Sequence, residues 1–236
     1  MAIPLRLSKP SSRVGAPDYG LTPREAGFLR RLSPPWRIQR YLDSIEYDVE
    51  ASGCRSPRRV LRERTVQCMD GALFAAAALR LQGEPPLLLD LEADADDDHV
   101  LALFRGPSGW GAIARSNYSG LRYREPVHAT IRALALSYLE GYFNLRRQKT
   151  LRRHSGPVHL GRFDRLRWMT AEEDLWAIPE ALVGVPHRVL FRPAVQRALA
   201  PVDSRTFLAG LVGRKEKASS RQKRSANLAA LKKTRA

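Results

Sequence analysis

Cys68 and His99 are the two residues of this 236-residue chain whose types and order could do covalent chemistry. A cysteine attacks as its thiolate, and a histidine beside it can take the proton and later hand it to a leaving group. Cys68 opens the run Cys68-Met69-Asp70-Gly71-Ala72-Leu73-Phe74-Ala75-Ala76-Ala77-Ala78-Leu79-Arg80-Leu81, which is rich in helix formers and closed by Gly83 and Pro85, so the thiol is expected in or just before a helix's first turn. Free backbone N–H groups and the helix dipole there would favour the thiolate and could hold an oxyanion. His99 opens the strand-like run His99-Val100-Leu101-Ala102-Leu103-Phe104-Arg105. A third polar group would fix the imidazole's tautomer. Asn117 suits that role by chemistry and Ser116 by strand alternation, and a Cys68–His99 dyad with no third member stays open. The plainer alternative is a cysteine that fills core space and a strand histidine that is merely hydrogen bonded. Cys54, in a Gly/Ser/Pro loop, has no helix behind it.

The elements that would position these residues follow from periodicity. Trp36, Ile38, Tyr41, Leu42, Ile45 and Val49 after Ser33-Pro34-Pro35 predict an amphipathic helix over about 35–50. Arg58–Arg64 reads as a short charged helix or turn leading to Cys68. Pro86–Leu91 has the length and composition of a buried strand, and 99–115 that of an antiparallel hairpin turning at Gly106-Pro107-Ser108-Gly109. A helix is expected over 128–143, a basic irregular stretch over 146–159, and a helix begun by the capping-box pattern Thr170-Ala171-Glu172-Glu173. The chain thus divides into an irregular arm at 1–20, a core at 21–164, a helical extension at 165–212 and a basic tail at 213–236.

Cys68-x-Asp70-x-Ala72 followed by Leu79-Arg80-x-x-Gly83-x-Pro85, with His99 and Gly109-Trp110 downstream, resembles the cysteine-helix motif of the transglutaminase-like superfamily over about 57–117. The resemblance implies an α+β, papain-like fold in which a central cysteine-bearing helix packs on a small antiparallel sheet. It also implies a Cys-His-Asp triad used for amide hydrolysis or acyl transfer on a peptide or protein. One departure stands out: the family's aspartate lies four residues beyond the tryptophan, where this chain has Ala114. A catalytically silent binding domain of the same family is therefore the first alternative.

Composition sets the remaining bounds. With 44% hydrophobic residues the chain can build a core. Forty Lys and Arg against 24 Asp and Glu give a net charge of +16, which raises the question of an anionic partner. Nine of those cations fall in 214–236 against Glu216 alone, in a stretch that reads as a solvated tail. A second basic group, Arg122, Arg124, Arg146, Arg147, Lys149, Arg152 and Arg153, is interleaved with tyrosines, so a nucleic-acid role is a third class of reading. Two cysteines exclude a disulfide framework and suit a reducing cytoplasm. No membrane span is expected. Asp94-x-Asp96-x-Asp98 begins like an EF-hand loop, but His99 stands where that loop needs Gly and Arg105 where it needs Glu, so no metal or other cofactor is expected.

Overall fold

The computed structural model describes residues 17–50 and 52–216. In chain order the elements are α1 (Pro23–Arg31), α2 (Trp36–Asp43), β1 (Glu46–Tyr47), α3 (Pro57–Glu63), β2 (Thr65–Val66), α4 (Cys68–Leu81), β3 (Leu87–Ala93), β4 (His99–Gly106) and β5 (Gly109–Ile113). They continue with β6 (Arg124–His128), α5 (Ile131–Leu136), β7 (Leu151–Ser155), β8 (Val158–His159), α6 (Ala177–Val183), β9 (His187–Val189), α7 (Pro193–Ala198) and α8 (Ser204–Gly210). The fold is α+β, as expected. A seven-stranded sheet runs β6-β5-β4-β3-β7-β9, with β8 also on β3, and every pairing in it is antiparallel.

Helix α4 is the centre of one core. Asp70 to Leu79 are all buried, and Ala75–Ala78 are fully so. Alanines let α4 lie close to β4 on one side while α1, α2 and α3 close over the other. Gly71 is required by this approach, because a Cβ there would meet the Cβ of Arg115 at 2.6 Å. Leu88, Val100, Ala102, Phe104 and Ile113 face α4, whereas Leu89, Leu91, Leu101, Leu103 and Ala112 face a second core with Leu134, Tyr138 and Tyr142. A sheet covered on both faces is apolar on both, which explains the unbroken hydrophobic runs in β3 and β4.

Several local expectations are corrected. Helix α2 ends at Asp43, where the C-cap Ser44 leads into β1. The stretch expected as a helix over 128–143 starts on the last residue of the edge strand β6 and holds only a short helix from Ile131 to Leu136 and a 3-10 turn. The basic stretch at 146–159 supplies β7 and β8, both partners of central β3. Thr170 caps no helix: capping boxes occur instead at Thr22/Glu25 and Gln67/Asp70. The extension at 165–212 is not purely helical, since it contributes the edge strand β9. The expected arm lies outside the described residues except for 17–20, and the expected tail except for 213–216. Among the described residues no helix is long and apolar enough to cross a membrane.

Candidate functional site

Cys68 is the first residue of α4, as expected, but its surroundings oppose a thiolate. Gln67 and Asp70 form the capping box, and the Asp70 carboxylate accepts the Gln67 N–H at 3.0 Å and the Arg55 N–H at 2.7 Å. A negative charge therefore already occupies the helix start, fully buried and braced by the Arg55 guanidinium at 3.2 Å. Cys68 is half-buried. Burial first, then the Asp70 charge, push its thiol up to about 11, against a smaller pull from the Met69 N–H. Cys54 is buried too, and its thiol is likewise raised by burial.

His99 opens β4, also as expected, but it is paired with Leu91 and shares the side of the strand that carries Leu101 and Leu103. That is the face away from α4. Its ring meets Tyr142 edge-on at 6.5 Å, and Nε2 donates to the Leu121 carbonyl at 2.9 Å. The carbonyl can only accept, so the neutral ring carries its proton on Nε2. Burial, and secondarily the positive Arg124, lower its pKa to about 4.

The structure does not bring the four candidate residues together. No hydrogen bond joins Cys68 to His99 among the described residues, and neither candidate third member reaches the imidazole. Ser116 is buried and its Oγ accepts from the Tyr118 N–H at 3.0 Å. Asn117 holds the backbone of Lys215, with Nδ2 donating to its carbonyl and Oδ1 accepting from its N–H, both at 2.8 Å. The aspartates that precede His99 are engaged elsewhere. Asp98 accepts from the Ala93 N–H and Asp96 from the Thr150 hydroxyl, so these carboxylates brace the loop. Among the described residues no three His, Cys, Asp or Glu side chains could hold a metal ion.

Part of the second basic group is paired within the fold. Arg122 pairs with Asp43, Lys149 with Glu140 and Arg153 with Glu92. Arg124 lies over Tyr138 at 4.0 Å and donates to the Gly120 and Ser137 carbonyls. These contacts tie loops together, while Arg146, Arg147 and Arg153 are exposed.

A buried polar cluster escaped the sequence reading. Asp90 (β3), Ser155 (β7) and His187 (β9) stand side by side on the α4 side of the sheet. His187 Nε2 lies 3.0 Å from Asp90 Oδ2, and its Nδ1 donates to the Val185 carbonyl at 2.8 Å. Ser155 Oγ accepts from the Asp90 N–H and donates to the Gly156 carbonyl. Burial raises the Asp90 carboxyl to about 6, against the lowering effect of His187. With both ring nitrogens and the hydroxyl committed, the cluster is a cross-strand brace. The signal available in the sequence was one carboxylate inside Leu87-Leu88-Leu89-Asp90-Leu91.

No known protein-family model matches the chain, and no curated protein matches it in sequence.

Proposed function

We propose that this chain is a transglutaminase-like domain that acts by binding a peptide or protein and whose thiol is not a nucleophile. The observation that carries this reading is the position of His99 on the sheet face turned away from α4. General-base activation needs the imidazole within hydrogen-bond reach of the sulfur, and here the sheet stands between the two faces. The raised thiol, the capping carboxylate beside it and Ala114 at the family's acid position point the same way. The family part of the proposal rests on the motif around Cys68 and on a buried central helix against an antiparallel sheet.

Alkylation by iodoacetamide across a pH series tests it, with site-resolved mass spectrometry for Cys54 and Cys68. Labelling of Cys68 is expected to rise with pH without a plateau below about pH 9, and to be unchanged in His99→Gln. A plateau with an apparent pKa below about 7.5, lost in His99→Gln, would restore the thiol enzyme.

A further inference from the structure

Between the turn that follows β7 and the loop that enters β9 lies a cavity of about 460 Å³, a size that accepts a small molecule. Its walls are apolar, with Pro157 and Val158 from the first segment and Val185 and Pro186 from the second. Gly156 lines it too, and a Cβ there would meet nothing within 4 Å, so the space beside it is open. Both segments are tied into the sheet. The Ser155 hydroxyl donates to the Gly156 carbonyl at 2.8 Å, and just past β8 the Leu160 N–H donates to the Pro86 carbonyl at 2.9 Å. The Val185 carbonyl accepts from His187, whose other ring nitrogen meets Asp90. The cavity is thus shaped by the fold before any ligand arrives.

The polar side chains that line it are His159, Arg162 and Arg188, all of them exposed residues, and no carboxylate is among the lining residues. Among the described residues neither guanidinium has an ion pair, and Arg162 lies only over the Phe163 ring at 5.4 Å. Asp164, the carboxylate nearest to Arg162 in sequence, is taken by both terminal nitrogens of Arg80 at 2.5 and 2.6 Å and by the Trp168 indole N–H at 3.1 Å. His159 Nδ1 accepts from the Gly161 N–H at 3.0 Å, so the neutral ring carries its proton on Nε2 and can donate from there. Two unpaired guanidiniums and an imidazole N–H beside apolar walls suit a dianion with an apolar body. Guanidinium forks match phosphate oxygens, whereas a monocarboxylate leaves one of the two positive charges without a counterpart. We propose that this cavity binds a small organic phosphate monoester, with its phosphate held by Arg162, Arg188 and His159 and its apolar body laid on the proline and valine walls. The site does not rest on the reading of Cys68. Strand β8 pairs with the first residues of β3, which follows the carboxyl end of α4, whereas Cys68 opens that helix.

Titration of phenyl phosphate into the full chain, followed by phosphorus NMR, tests the site, with circular dichroism confirming that each variant is folded. Saturable binding is expected, weakened about tenfold or more in Arg162→Gln and in Arg188→Gln. Gly156→Leu changes no charge, puts a side chain into the open space and is expected to remove the binding. Inorganic phosphate, which lacks the apolar body, and benzoate, which lacks the second charge, are each expected to bind about tenfold more weakly than phenyl phosphate. Absence of saturable binding to the parent chain overturns the site. Binding that is unchanged in Gly156→Leu overturns it as well, because such binding is attraction to the nine cations of 214–236 and not occupancy of the cavity. Benzoate bound as tightly as phenyl phosphate overturns the choice of a phosphate, and inorganic phosphate bound as tightly overturns the role of the apolar walls.

Discussion

His99 and Asp90 sit on opposite faces of the sheet and respond to pH in opposite senses. His99 is held neutral down to about pH 4, whereas an unfolded histidine protonates near 6.5. Between those values the unfolded chain binds the extra proton, so this residue's contribution to stability is lost as pH falls. Asp90 keeps its proton up to about pH 6, whereas unfolded it ionises near 3.8. Between those values the native state holds the extra proton, so stability is lost as pH rises. Relative to the parent, Asp90→Asn should therefore gain stability as pH rises from 4 to 6, by up to about 3 kcal/mol at the usual 1.4 kcal/mol per pKa unit. The asparagine can still donate to His187 Nε2. His99→Gln should show the opposite slope, gaining relative to the parent as pH falls from 6.5 to 4. Urea unfolding of the three chains across pH measures both differences, and parallel profiles would refute the assignment. The residue types at the candidate site were legible in the sequence, but their faces were not. Leu101 and Leu103 on one side of β4 and Val100, Ala102 and Phe104 on the other are equally apolar, so alternation gave no sign of which side α4 covers. Nor did the thiol's position at a helix start reveal that Asp70, two residues on, would be buried beside it as a capping carboxylate whose charge opposes a thiolate.

Helix α4 was legible as an element because its signals are local: a run of helix formers rich in alanine and a stop at Gly83 and Pro85. Strand β7 was not, because Leu151-Arg152-Arg153-His154-Ser155 carries two arginines and its partner β3 lies 60 residues upstream. Arg152 donates to the nearby Lys149 and Leu151 carbonyls, whereas the partner of Arg153, Glu92 on β3, is brought to it only by the assembled sheet. The fit of α4 can be tested at two points. Gly71→Ala should destabilise by about 1–3 kcal/mol, since the added methyl meets a β-carbon rather than a movable tip. Arg55→Met should cost about 2–3 kcal/mol, because it strips the guanidinium from the fully buried Asp70 carboxylate while two backbone N–H groups remain. Adding Asp70→Asn to Arg55→Met should recover part of that loss by removing the stranded charge. A double variant no more stable than Arg55→Met, in denaturant unfolding, would count against this reading of the network.

At the scale of the molecule, two cores share one sheet, and the sheet is completed from a distance. Strands β3, β4 and β5 are joined by short turns, but β7 and β9 arrive 60 and about 95 residues after β3. Truncation after Val183 should therefore abolish cooperative unfolding, because it removes β9, the buried Leu190 and the partner of Asp90. A sharp thermal transition in that fragment would show the extension to be dispensable. The same topology bears on how the chain survives its own synthesis. A ribosome delivers β3 well before β7, so one edge of Leu87-Leu88-Leu89-Asp90-Leu91 stands bare in the nascent polypeptide, a short leucine-rich segment with the makings of an intermolecular β-contact. Asp90 interrupts it, and in the unfolded chain at neutral pH that carboxylate is ionised. The charge whose burial costs the finished fold stability as pH rises is thus the one that keeps the unfinished strand from sticking to its neighbours, and Asp90→Asn, though freed of that pH-dependent cost once folded, should leave more light-scattering aggregate on dilution from denaturant.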